Sequence, residues 1–166
     1  MREEGRDSSL EPNSIGNFFV KAIVNSPLHP LLGESFAVVT VEGRRTGRRY
    51  SVPIGVWREG DTVTAVSHRV DRNWWRNLRG GRVAQLRVSG KQYAVRGEIL
   101  ERKEDVVAGL TSYLMHFSGR SRKVNANYFG IRLGEDERPR KDDLERAAGD
   151  RVIIRFHPAK DSLTSL

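Results

Sequence analysis

The chain contains no cysteine, so disulfides and thiolate metal sites are excluded and a reducing compartment is the natural setting. It also lacks any apolar run near the roughly 20 residues that span a bilayer. The opening stretch MREEGRDSSLEPNS is polar where a secretion signal would be apolar, and the expected location is the cytoplasm. His29, His116 and His157 are scattered, with no carboxylate or histidine at ligand spacing, so no metal site is expected. A Gly-x-Ser-x-Gly elbow is missing too, which removes the commonest sign of a serine nucleophile.

Acidic residues are in the minority. With 29 Lys+Arg against 21 Asp+Glu, the net charge is +8, a balance that favours an anionic partner: nucleic acid, an acidic membrane surface or a multiply charged cofactor. The basic residues cluster at 44–49, 69–82 and 120–123, and the third cluster reads as a solvated surface. At 166 residues the chain suits one well-buried core: a head over 1–12 and a single domain over 13–166.

Helical spacing of Ile15, Phe18, Phe19, Ala22 and Ile23 predicts an N-terminal helix over 15–25, ended by Ser26-Pro27. Its apolar stripe either covers the open end of a sheet or rests Phe18 and Phe19 on a membrane surface, the sheet being the better fit. Strands are predicted at 35–42, 50–58, 62–67, 83–89, 92–101 and 151–156, separated by turn signals at 59–61 and 89–91. Helices are expected at 71–78, 103–117 and 142–148, and irregular structure at 118–138. Six strands with two tight hairpins point to a mainly β, α+β chain built as a six-stranded antiparallel barrel with flanking helices. The strand at 36–41 is apolar on both faces, so it should be covered both from the barrel interior and from outside, by a helix or a second subunit.

The densest chemistry lies at Gly43-Arg44-Arg45-Thr46-Gly47-Arg48-Arg49, a strand-to-strand turn with four arginines and a hydroxyl. Arginine forks match phosphate and carboxylate, and glycine lets backbone N–H groups come close. Taken alone, the run is either an anion site or an exposed basic hairpin.

The wider succession decides more. Val41 to Arg48, then Val52-Pro53-Ile54, Gly60-Asp61, Ser67 and Trp74-Trp75-Arg76-Asn77-Leu78 resembles the deazaflavin-dependent nitroreductase family, oxidoreductases of split β-barrel fold, over about 31–101. The resemblance implies binding of coenzyme F-420, whose tail carries a phosphate and glutamates. Arg45 and Thr46 would hold the phosphate, Gly47 would allow close approach, and Arg44, Arg48 and Arg49 would attract the polyglutamate. Pro53 and Ile54 would line the cofactor, Ser67 and His68 its ring or tail pocket, and Trp74, Trp75 and Asn77 one wall. The best-known members place Arg and Asn near Tyr50 and Val52, and Arg49 could replace that arginine only if the strand register turns it inward.

The implied activity is hydride transfer from reduced F-420 to a small electron acceptor, a quinone, nitro compound or activated alkene. Such chemistry asks the protein for position, electrostatics and water exclusion, in keeping with the missing nucleophile. Tyr113, Tyr128 and Phe129 are candidates for the substrate wall, with ordinary core packing as the competing reading of each. A homodimer is implied by the fold. Two alternatives stay open: a split barrel for flavin mononucleotide (FMN) or haem, and a nucleic-acid-binding barrel, the latter not expected.

Overall fold

A computed structural model describes residues 35–159, so the predicted helix over 15–25, with Phe18 and Phe19, lies outside the described residues. The strands are β1 (Phe36–Glu42), β2 (Arg49–Glu59), β3 (Thr62–His68), β4 (Val83–Val88), β5 (Lys91–Leu100) and β6 (Arg151–Pro158). They close an antiparallel barrel in the order β1-β2-β3-β6-β5-β4. The helices are α1 (Lys103–His116), α2 (Gly119–Tyr128) and α3 (Lys141–Ala148), with a 3-10 helix at Trp74–Leu78.

Alternation along the strands divides the apolar residues between two cores. Val39, Val41, Ile54, Val56, Leu86, Ile154 and Phe156 point into the barrel, which Trp75 and Leu78 of the 3-10 helix help to fill. Ile153, on the opposite face of β6, packs with Trp57, Val106, Leu110, Leu114 and Leu144 between sheet and helices. Gly109 permits that contact. A Cβ there would lie 2.6 Å from Ile153 Cγ1, so α1 can approach β6 only with glycine at the crossing.

On the outer face of β1, neighbours within the sheet contribute to the cover. Val38 is buried, opposite Pro53 of β2 and Arg87 of β4, and the groove beside it is lined by Thr40, Ser51, Gln85, Arg87 and Gln92. Neighbouring side chains of the same sheet therefore supply part of the cover.

Two predicted segments changed. The helix expected over 71–78 is helical only at Trp74–Leu78. The irregular stretch at 118–138 contains α2, whose sequence GRSRKVNANY carries almost no apolar pattern and buries only Ala126. Tertiary contacts hold α2: Arg122 Nε donates to the Phe117 carbonyl at 2.8 Å, and the Tyr113 hydroxyl meets Asn125 Oδ1 at 2.6 Å. Beyond it, the fully buried Asp143 of α3 accepts from the Arg132 backbone N–H, Nε and Nη2 at 2.9, 2.8 and 3.0 Å and pairs with Arg146.

One irregularity of the ladder positions the site. β2 pairs with β1 from Arg49 to Gly55, whereas its pairing with β3 covers only Val56–Glu59 against Thr62–Ala65. Past Ala65, β3 runs alongside β6 alone, through Ser67↔Val152 and His68↔Arg151. The barrel wall thus parts between residues 52–55 of β2 and 66–68 of β3. Pro53, with no N–H to donate, sits on the parted edge.

Candidate functional site

Three cavities and a connecting cleft run along this side of the barrel, each sharing lining residues with the next. At one end Gly43, Arg44, Arg45, Thr46, Tyr50, Asn73, Arg76 and Asn77 surround about 420 Å³. The middle, about 340 Å³, lies between Val52, Pro53, Ile54 and Gly55 on one side and Val66, Ser67 and His68 on the other, with Arg72 and Trp74 across it. A shallower cleft bounded by Tyr50, Pro53, Asn73 and Trp74 joins these two. At the far end an aromatic chamber of about 470 Å³ is lined by Phe36, Tyr113, Phe117, Tyr128 and Phe129, together with Ser67, His68, Asn125 and Arg151.

The polar end is built by two elements. The β1–β2 turn is tied by Gly43 N–H to the Arg48 carbonyl and Gly47 N–H to the Gly43 carbonyl, both 2.9 Å. Gly47 takes φ +65°, a left-handed conformation that side chains resist. Thr46 Oγ1 accepts the Arg48 N–H at 3.3 Å and retains its own proton for a ligand. The 3-10 helix and its N-cap contribute Arg76, Asn77 and Asn73, which all line this cavity, Asn73 and Arg76 being one 3-10 turn apart.

Asn77 locks helix to turn. Its Oδ1 accepts the Arg44 backbone N–H at 3.1 Å and its Nδ2 donates to the Tyr50 hydroxyl at 2.7 Å. Since that hydroxyl accepts from Asn77, its proton is free to point elsewhere. Burial holds the Tyr50 pKa above its ordinary value, against the smaller opposing effect of the Asn77 bond. Tyr50 is therefore a neutral donor on the cavity wall. Guanidinium, amide, hydroxyl and phenol groups converging on one cavity suit a phosphate or carboxylate.

The middle is apolar on the β2 side and polar on the β3 side. Ser67 is 6% exposed, and its Oγ is buried with no hydrogen-bond partner. His68 Nδ1 is 3.6 Å from Asp71 Oδ2. In the chamber, Tyr113 packs edge-on against Trp57, Phe117 and Phe129 at 4.8, 5.1 and 5.6 Å, and its pKa is raised chiefly by burial. Tyr128 remains 73% exposed at the rim.

Of the residues singled out in the sequence, Arg44, Arg45, Thr46 and Asn77 meet at the polar end, Pro53, Ile54, Ser67, His68 and Trp74 in the middle, and Tyr113, Tyr128 and Phe129 in the chamber. Others sit elsewhere. Gly47 and Arg48 are in the turn but outside the cavity lining, and Arg49 points away, its side chain 77% exposed and 4.0 Å from Glu42 across the β1–β2 pair. The inward turn that would let Arg49 replace an arginine at position 50 does not occur. Trp75 is fully buried in the barrel core, donates Nε1 to the His68 carbonyl at 3.1 Å, and has the Arg76 and Arg79 guanidiniums each 5.2 Å from its ring. It braces the groove from behind rather than lining it.

Sequence reasoning missed Asn73, Arg76 and Arg151. The first two carried a signal in their separation of three residues, one 3-10 turn; Arg151 carried none, since only the β3–β6 register brings it to His68.

A closed antiparallel barrel whose wall parts on one side is a split β-barrel. A candidate 5-nitroimidazole antibiotic resistance protein from Bacteroides thetaiotaomicron is similar over 78% of this chain and 76% of its own, with TM-score 0.50 and 12% identity. A candidate pyridoxamine 5'-phosphate oxidase from Listeria innocua covers 86% of this chain and 94% of its own at TM-score 0.47 and 9% identity. An F-420 reductase covers 76% and 87% at TM-score 0.42 and 15% identity. Of these, the first, at TM-score 0.50, bears on the fold alone. No protein-family model matches the chain, and no curated protein matches it by sequence.

Proposed function

We propose that the groove binds a deazaflavin, coenzyme F-420, and that the protein is an oxidoreductase passing hydride from it to an electron-poor acceptor such as a quinone, a nitro compound or an activated alkene. The observation that carries this reading is continuity: an arginine-rich cavity leads through the cleft at Tyr50 and Asn73 to a slot between the parted strands and then to an aromatic chamber. An anionic tail, a flat ring system and a conjugated acceptor call for those environments in that sequence. Similarity to an F-420 reductase and to a candidate nitroimidazole resistance protein agrees with it.

When bound, the deazaflavin supplies the hydride. Arg44, Arg45 and Arg76 neutralise phosphate and carboxylates of the tail, while Thr46 and Tyr50 donate to their oxygens. Pro53, Ile54 and Trp74 form the walls of the slot, and the strand edges at 52–55 and 66–68 present backbone groups to the ring. The chamber's aromatics hold the acceptor flat and keep water from the transfer.

Titration of the purified protein with F-420 and with FMN, side by side, tests the reading. F-420 should bind and change in fluorescence; tight FMN binding with no response to F-420 would assign the groove to a flavin. Colourless protein whose binding to DNA or RNA collapses with salt would favour the nucleic-acid reading. We also propose a homodimer, since Phe36 and Tyr128 leave apolar surface at the chamber mouth. Light scattering that finds an active monomer would refute it. None of the described helices is long and apolar enough to cross a membrane.

A further inference from the structure

We propose that Arg151 selects acceptors bearing an acidic oxygen group, a carboxylate or an ionised hydroxyl on a conjugated ring. The inference rests on the reading of the aromatic chamber as the acceptor end of the groove. Arg151 lines that chamber, yet its side chain is only 10% exposed, a rare condition for an arginine. Its guanidinium lies 5.7 Å from the Phe129 ring centroid. Nε is buried with no hydrogen-bond partner, and Nη1 makes an ion contact with Asp150 but no hydrogen bond of good geometry.

Ser67 Oγ is also buried without a partner, but Ser67 pairs with Val152 of the barrel core and so belongs to the opposite face of the ladder from Arg151. Arg151 Nε can donate, and a buried donor left without an acceptor is costly, so the guanidinium asks for a ligand oxygen. Asn125 is not available for this, because its amide is engaged by Tyr113 and by the Ser121 carbonyl. A guanidinium fork recognises a carboxylate far better than a neutral carbonyl. Acceptors with a planar, conjugated body and one acidic group fit both halves of the chamber, and neutral quinones fit only the aromatic half.

The test uses the full chain without cofactor and the probes para-nitrobenzoate and para-nitrobenzamide, similar in shape and differing in charge, followed by calorimetry or by quenching of Trp57, which touches Tyr113. Nitrobenzoate should bind at least about ten-fold more tightly than nitrobenzamide. The preference should vanish in Arg151→Met, shrink in Arg151→Lys, and survive in Arg45→Ala, which separates this site from the polar end. Asp150→Asn, which removes the competing carboxylate at an exposed position, should strengthen nitrobenzoate binding several-fold and decides the matter if Arg151→Met does not fold. Equal affinity for both probes in the unaltered chain, or no response to Asp150→Asn, would overturn the inference. F-420 titration of the same samples reads the groove independently: cofactor binding without anion preference sinks only this inference, and anion preference without cofactor binding sinks only the proposed function.

Discussion

Asn77 Nδ2 donates to the Tyr50 hydroxyl at 2.7 Å, and through this bond the 3-10 helix sets the position of a side chain on β2. The same amide holds the Arg44 backbone, so one residue fixes the turn and the phenol together. Asn77→Ala should weaken F-420 binding by about 1–2 kcal/mol, roughly ten-fold, with little change in melting temperature because the amide is partly exposed. Tyr50→Phe should give a smaller loss. A variant that binds normally would show that the turn orders itself.

Arg45→Ala and Thr46→Ala should each reduce F-420 affinity, the arginine by about 1.5–3 kcal/mol, since its bond to an anion is charge-assisted. The arginine variant should also flatten the dependence of affinity on salt. Arg49→Ala should do neither, because Arg49 faces Glu42 across an exposed pair worth at most about 1 kcal/mol. Titrations at two ionic strengths distinguish the three.

Asp143→Asn should destabilise the fold without touching the groove. The hydrogen bonds from Arg132 hold the Asp143 carboxyl well below its ordinary 3.8. In the unfolded chain it regains that ordinary value, so the unfolded state takes up the proton first. The stabilisation is therefore complete above pH 3.8 and is lost as pH falls from there toward the depressed native value. Melting temperature followed from pH 6 to pH 2 should fall less steeply in the variant than in the unaltered protein.

Gly109→Ala should also destabilise, against the usual gain from replacing glycine within a helix. The added methyl would meet Ile153 Cγ1 and Cδ1 at 2.6 and 2.8 Å, and that fully buried, β-branched side chain has nowhere to turn. A net loss of about 1–2 kcal/mol in denaturant unfolding is expected. Pairing it with Ile153→Val should restore part of the loss.

How much of this was legible in the sequence depended on range. The hairpins at Gly60 and Gly90 announce themselves through local turn chemistry, and all six strands fell near their observed positions. The arginine turn could be read from its residues, and Asn77 from the resemblance of the Trp74–Leu78 stretch. The parting between β2 and β3 could not, since it depends on where a ladder stops rather than on any residue's preference. Arg49 shows the same boundary: its charge was visible, but its direction belongs to the register with Glu42. α2 escaped because its stability comes from Arg122, Asn125 and Ala126 meeting distant partners.

The strand that completes the ring, β6, is the last of the described elements and pairs with both β3 and β5. On the ribosome, every earlier strand is made before the piece that joins them. Until residues 151–158 emerge, β3 and β5 each carry an open edge, and the nascent chain waits with those edges exposed to other chains. Translation speed and chaperone supply should therefore govern the yield of this protein more than its final stability does.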